Sequence, residues 1–140
     1  MTPKQKVYWQ RYVDYALGVM HLAHWTVRLV DDPPENDDAI ASILAEEQVH
    51  DAELHLADRF FDKRPDEQRT YIAHELIHLH FWQYMQLSNE LCYQLGAQAQ
   101  MIAIRQLERA MELATDDLAR VVRFILDEPS GPTTSNVQLE

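Results

Sequence analysis

The chain has 140 residues, 46% of them hydrophobic, which is enough for one domain with its own core. Its formal charge of −11, from 12 basic and 23 acidic side chains, argues against nucleic acid and anionic membranes as partners, because both require clustered lysine and arginine. A single cysteine, Cys92, excludes an intramolecular disulfide, and no apolar segment resembles a leader or a membrane span, so we expect a cytoplasmic protein.

The N-terminal half predicts one helix followed by strands. Apolar residues recur at helical spacing from Gln5 to about Ala23. Residues 25–30 and 50–57 alternate apolar and polar side chains, which predicts two half-buried strands. Residues 31–38 are dense in Asp and Pro and form a loop. Residues 39–45 fit a strand or a short helix, and we favour the strand because the run is short and its neighbours are strands.

The C-terminal half predicts helices. One helix should run from about Asp66 to about Tyr84, and the weakly periodic residues 87–100 should also be helical, although Gly96 disfavours it. The last helix should end before Pro129, leaving a single domain at 1–128 and a flexible polar tail at 129–140. A narrow apolar stripe marks that helix: Ile104, Leu107, Met111, Ala114, Leu118, Val121 or Val122, and Ile125.

The most informative segment is His74-Glu75-Leu76-Ile77-His78, an HExxH pattern inside a predicted helix. Histidines four residues apart lie on one helical face, where both imidazoles can bind a single metal ion. Glu75 projects about 100° around the helix from His74 and can reach a metal-bound water as a general base. The plain alternative is an amphipathic helix that carries exposed histidines.

A catalytic zinc site usually has three protein ligands and a water, so a third ligand is needed. Zincins that place a third histidine soon after HExxH are excluded, because Phe81 and Tyr84 occupy the corresponding positions. The acidic residues of the later helices are the remaining candidates, and we favour Glu112, with Glu108 in reserve. Asp116, one turn after Glu112, can accept the second ring N–H of a ligating histidine. The alternative is surface ion pairing with Arg105 and Arg109. The candidates are Glu90, Glu108, Glu112, Asp116 and Asp117.

HELIH followed by Glu112-Leu113-Ala114-Thr115-Asp116 resembles the short gluzincin metallopeptidases, with their HExxH and downstream ExxxD. The longer series of residues 51–61, 65–69, 74–78 and 112–120 is similar to small metallopeptidase-like proteins of tailed phages and prophages. The resemblance covers about Trp25 to Arg120. For a phage-encoded protein, the host cytoplasm or the virion would be the expected location.

The resemblance implies an α+β, minimal zincin-like domain: an N-terminal helix, a small twisted antiparallel or mixed sheet, an active-site helix and C-terminal helices. It implies Zn²⁺ as cofactor, His74, His78 and Glu112 as metal ligands, Glu75 as catalytic base and Asp116 as the residue that orients a ligand. It also implies an edge strand over the metal. We assign that strand to residues 51–56, along which an extended protein or peptide substrate would bind.

No motif identifies the residue that stabilises the oxyanion, for which Tyr71, His55 and His80 are the candidates. Two alternative functions are therefore considered. The first is a zinc-dependent peptidase with a narrow protein target. The second is a non-catalytic, zinc-stabilised binding module, such as a virion or host-interaction protein, in which the metal only joins helices. The sequence does not indicate an oligomeric state.

Overall fold

A computed structural model describes residues 1–46 and 49–126, which form an α+β fold, as predicted. Within these residues, three helices accompany a three-stranded mixed sheet. The elements in chain order are α1 (Pro3–Val19), β1 (Thr26–Leu29), β2 (Ala41–Glu46), β3 (Asp51–Leu56), a single 3₁₀ turn (Asp58–Phe60), α2 (Pro65–Cys92) and α3 (Ala97–Leu126).

The strand order β1-β3-β2 corrects one prediction. We expected residues 51–56 to form the edge strand, but β3 is the central strand, parallel to β1 and antiparallel to β2. Its backbone is paired on both sides, so a peptide cannot add to it. The edges of the sheet are β1 and β2, and the ambiguous segment that we favoured as a strand is the β2 edge.

One face of the sheet and the first half of α2 enclose the core. Because side chains alternate along a strand, Ala52, Leu54 and Leu56 of β3 all point into this core. Helix α1 contributes Trp9, whose ring packs edge-on against Phe60 at a centroid distance of 5.2 Å. From α2 the core receives Ile72, Ala73, Leu76, Ile77 and Leu79.

Helix α2 begins where the sequence predicted but runs further. Pro65 occupies its first turn, where a missing N–H costs nothing, and the Glu67 carboxylate accepts a hydrogen bond from the Arg64 backbone N–H at 3.1 Å. We expected an end near Tyr84, yet no glycine or proline interrupts residues 84–92, and the helix continues to Cys92. Residues 87–100 are therefore not a helix of their own: they contain the end of α2, the turn with Gly96 and the start of α3.

Helix α3 follows the predicted apolar stripe only in part. Among the side chains that the structure describes in α3, the buried ones are Thr115, Ala119 and Leu126, whereas Leu118, Val121 and Ile125 are 42–60% exposed. The predicted helix end at Pro129 and the tail 129–140 lie outside the described residues. No helix among the described residues is long and apolar enough to cross a membrane.

Candidate metal centre

The two histidines of the HExxH segment meet Glu112 where α2 packs against α3. His74 Nε2 lies 3.1 Å from His78 Nε2. Glu112 Oε2 lies 3.4 Å from His74 Nε2, and Glu112 Oε1 lies 3.5 Å from His78 Nε2. Three potential ligand atoms thus lie within 4.8 Å of one another. The histidines come from one helical face because they are four residues apart, and α3 supplies the carboxylate from 34 positions further along the chain.

Asp116 fixes the orientation of the His74 ring. Its Oδ1 lies 2.9 Å from His74 Nδ1. An ionised carboxylate can only accept a hydrogen bond, so His74 Nδ1 carries the proton and donates it. In the neutral ring, Nε2 then carries the lone pair and points toward His78 and Glu112. This is the tautomer that a metal-ligating histidine needs, and a carboxylate on the opposite ring nitrogen is a common partner of such a ligand.

The surroundings of His78 favour its neutral form. Burial lowers its pKa below the ordinary value of 6.5, and the neighbouring His74 lowers it further, while Glu112 and Asp116 act in the opposite direction. A neutral imidazole has a lone pair available for a metal ion, whereas a protonated one has none. The site is accessible as well, because the side chains of His74 and His78 are 17% and 16% exposed and that of Glu112 is 58% exposed.

Glu75 projects about 100° around α2 from His74 and lies in the interior. Burial, with a smaller contribution from the negative charge of Glu112, raises the pKa of Glu75 from 4.5 to about 8. The backbone N–H of Ile43 donates a hydrogen bond to the Glu75 carboxyl group and lowers the pKa slightly. Glu75 is therefore close enough to Glu112 to feel its charge and is positioned by strand β2.

The contact between Ile43 and Glu75 is the part of the site that sequence reasoning missed. Ile43 lies in β2, which pairs with β3. The hydrogen bond from Ala57 N–H to Ile40 O at 2.9 Å shows which backbone groups of β2 face β3. Backbone N–H and C=O groups alternate in direction along an antiparallel strand. Those of Ser42 and Leu44 therefore point toward β3, and those of Ile43 point away from it. No residue type signals such a contact, since any non-proline residue can supply the N–H.

The other acidic candidates lie elsewhere. Glu108, the reserve ligand, lines a separate surface depression with Ala97, Met101 and Ile104. Asp117 approaches Arg120 at 3.9 Å, as in a surface ion pair. Glu90 is exposed near the end of α2. Among the described residues, none of the three belongs to the group formed by His74, His78 and Glu112.

Of the three candidate oxyanion donors, Tyr71 is the one that shares a helical face with the two histidines. Tyr71 is three residues before His74 and seven before His78, so all three share one face of α2. His80 lies about 200° around the helix from His78 and is exposed. His55 alternates with the core residues of β3, so it faces the other side of the sheet, where its Nδ1 donates to the Asp32 carbonyl at 3.1 Å.

Comparison of the chain with family models, curated proteins and solved structures found no match in any of the three. The geometry around His74, His78 and Glu112 therefore carries the functional conclusion.

Proposed function

We propose that this chain is a zinc-dependent, metallopeptidase-like protein that hydrolyses peptide bonds with Glu75 as general base. The observation that carries the proposal is the spacing of the three ligand atoms on α2 and α3. Zn–ligand bonds of about 2.0–2.1 Å at tetrahedral angles place ligand atoms about 3.3–3.4 Å apart. The separations are 3.1 Å between the two Nε2 atoms, 3.4 Å from His74 Nε2 to Glu112 Oε2 and 3.5 Å from His78 Nε2 to Glu112 Oε1, so the two distances to Glu112 end on different oxygens of one carboxylate. Each separation lies within about 0.2 Å of that edge length.

The donor set is also that of a catalytic rather than a structural zinc site. Two histidines and one glutamate are three ligands, which leaves a fourth position for water. A zinc ion bound there would supply a water with a pKa of about 7 and a Lewis acid for a peptide carbonyl. Cysteine, the usual ligand of structural sites, occurs once in the chain, at Cys92. Asp116 would hold the His74 ring in the ligating tautomer.

Glu75 fits the role of the proton acceptor. The Ile43 N–H bonds its carboxyl group and limits its rotation, while burial brings its pKa to about 8, close to the pH at which a base of this kind would work. A metal cation held by His74, His78 and Glu112 would favour the ionised form of Glu75, which is the form that accepts a proton. After attack on the carbonyl, the protonated Glu75 would deliver its proton to the leaving nitrogen.

The outer edge of β2 is the proposed binding surface for an extended substrate. β2 is an edge strand and contacts Glu75 through Ile43, so a peptide added to it would lie beside the base. The backbone groups of Ala41 and Ala45 point outward, in the same direction as those of Ile43, and would pair with the peptide. This replaces β3, which we first expected to serve as the edge.

The resemblance to phage and prophage proteins supports a narrow protein target in the host cytoplasm. The described fold, with three helices and one three-stranded sheet, offers little room for extended specificity subsites. Repressor cleavage is one role of this kind, and it is proposed by analogy with peptidases of mobile elements.

The test is cleavage of a broad peptide library by the zinc-loaded protein. We expect cleavage by the wild type, loss of cleavage after chelation and recovery after zinc is restored. Glu75→Gln keeps the size and hydrogen-bonding capacity of the side chain, and it should retain zinc while losing about 10²–10⁴ in rate. Glu108→Gln, outside the ligand group, is the control and should cleave as the wild type does. If Glu75→Gln cleaves as fast as the wild type, the mechanism is wrong.

A second function is favoured by the way the site joins two helices. His74 and His78 lie on α2 and Glu112 on α3, so a bound metal would link the two and stabilise their packing. In a purely structural module, chelation would lower the melting temperature but the zinc-loaded protein would cleave no peptide. Zinc uptake without hydrolysis of any library member would favour this binding module over the peptidase.

A further inference from the structure

Beyond Phe81 and Trp82, which still pack against the core, the second half of α2 and the first half of α3 extend past it. Leu79 is the last buried residue of α2, and Thr115 is the next buried residue along the chain. The intervening 35 positions are all described, and none of them is buried. We call residues 80–111 the arm. Its α2 part, from His80 to Cys92, is about 20 Å long at 1.5 Å per residue.

The exposed side chains of the arm are apolar to an unusual degree. Seven large hydrophobic residues there are 45–69% exposed, and together they offer roughly 800 Å² of surface, about what each partner contributes to a standard protein–protein interface. Exposed hydrophobic residues that are scattered singly over a surface need no explanation. Here, however, they lie together on two adjacent helices and the turn between them. They are Tyr84, Leu87, Leu91, Tyr93, Leu95, Met101 and Ile102.

A heptad line on α2 runs from the core into the arm. Its positions are separated by four, three, four, three and four residues, which is the spacing of helix-to-helix seams. The first two positions, Ala73 and Ile77, are covered by the domain, whereas the last three are 56–69% exposed. The seam therefore continues past the point where the domain can cover it, and it fits another helix. Its members are Ala73, Ile77, His80, Tyr84, Leu87 and Leu91.

The charge distribution indicates which protein supplies the helix that packs on this seam. The arm carries two acidic and two basic side chains in 32 residues, Glu90, Glu108, Arg105 and Arg109, so it is formally neutral. The whole net charge of −11 therefore resides outside the arm. Two copies of the chain, each with a formal charge of −11, repel each other less when they meet through this neutral surface than through the acidic remainder. A basic partner would select the acidic surface instead, and a nucleic acid would be repelled by it.

We propose that the arm is a self-association surface, on which two copies of this chain pack their α2 seams antiparallel to form a four-helix bundle. Such a contact is isologous: each seam meets the same seam on the other copy, with Leu87 near the two-fold axis. The proposal is independent of the metal centre and of its chemistry.

Sedimentation velocity of the full chain over a range of concentrations tests the proposal. We expect a species of twice 16.4 kDa that dissociates on dilution. The double variant Leu87→Glu/Leu91→Glu should be monomeric and should keep the far-UV helix signal of the wild type. Val121→Glu is the matched control, because Val121 is 60% exposed but lies outside the arm, and this variant should remain dimeric.

A crosslink locates the contact without relying on a disruptive variant. Leu87→Cys in a Cys92→Ser background should form a disulfide-linked dimer under mild oxidation, because seams that meet at a two-fold axis bring equivalent residues within disulfide range. Val121→Cys in the same background should not. A wild type that is monomeric at every concentration overturns the proposal. So does a dimer that survives the Leu87→Glu/Leu91→Glu change, because its contact must then lie elsewhere on the chain.

Discussion

The Asp116 carboxylate lies 2.9 Å from Nδ1 of His74 and joins α3 to α2 across 42 positions of sequence. Glu112, one turn earlier on α3, reaches the opposite nitrogen of the same ring at 3.4 Å. Both nitrogens of one imidazole are therefore held by carboxylates spaced i, i+4 on one helix. This spacing is what allows one residue to orient the ring while the other remains available as a ligand.

Replacing Asp116 should weaken zinc binding without abolishing it. In Asp116→Asn the side chain can donate as well as accept, so His74 is no longer restricted to the tautomer that directs its Nε2 lone pair at the metal. We expect a 10–100-fold loss of zinc affinity, measured by competition with a chromogenic chelator. Asp117→Asn, on the adjacent exposed residue, is the control and should bind as the wild type does. Equal affinities for the two variants would remove Asp116 from the site.

The third ligand is tested by comparing two glutamates on one helix. Glu112→Gln loses a carboxylate ligand and should reduce the zinc content of the purified protein well below one per chain, as measured by elemental analysis. Glu108→Gln removes the same charge one turn earlier, where the carboxylate lines a different surface depression, and it should leave the content unchanged. The opposite result would make Glu108 the ligand.

The sequence predicted the local part of this site and missed the part that depends on the path of the chain. His74, Glu75 and His78 lie on one helix, so helical periodicity alone fixes their relative positions. The sequence favours Glu112 because a second carboxylate, that of Asp116, follows one turn later on the same helix. The strand order was not predictable, since β1 and β3 pair across a long intervening segment and alternation in β3 reports one buried face, not an edge.

The end of α2, in contrast, could be predicted from the sequence, whereas the burial of α3 could not. Residues 84–92 contain no breaker, and the length of α2 could have been inferred from that alone. The stripe on α3 indicated an amphipathic helix correctly, but hydrophobicity does not specify which neighbour covers it. The small residues Thr115 and Ala119 are buried, whereas the larger Leu118 and Val121 of the predicted stripe remain exposed.

Blocking the outer edge of β2 should impair substrate binding and spare the metal. The Ala45 N–H points away from β3, so Ala45→Pro removes one outward donor without removing a bond of the sheet. If a peptide pairs with this edge, KM for a cleaved peptide should rise several-fold while zinc content and helix signal are retained. Leu44→Pro is the contrast, because its N–H points toward β3 and its loss should lower the melting temperature. Unchanged KM in Ala45→Pro would place the substrate elsewhere.

The buried carboxyl of Glu75 should make the metal-free protein less stable as pH rises. In the unfolded chain Glu75 ionises near its ordinary pKa of 4.5, whereas in the folded chain burial delays ionisation to about 8. Between these values the unfolded chain releases a proton that the folded chain retains, so rising pH favours unfolding. The stability from this group is fully present below pH 4.5 and is lost as pH rises through 8.

Glu75→Gln removes that dependence, because an amide does not ionise and its oxygen can still accept the Ile43 N–H. Chelated Glu75→Gln should therefore match the chelated wild type near pH 4.5 and exceed its free energy of unfolding at pH 8 and above, by up to about 5 kcal/mol. Urea unfolding across this pH range gives the difference directly. Glu108→Gln, at an exposed position, should follow the wild-type curve at every pH. Parallel curves for wild type and Glu75→Gln would mean that Glu75 ionises in the folded protein as readily as in water, and would remove the physical basis for a base tuned by burial.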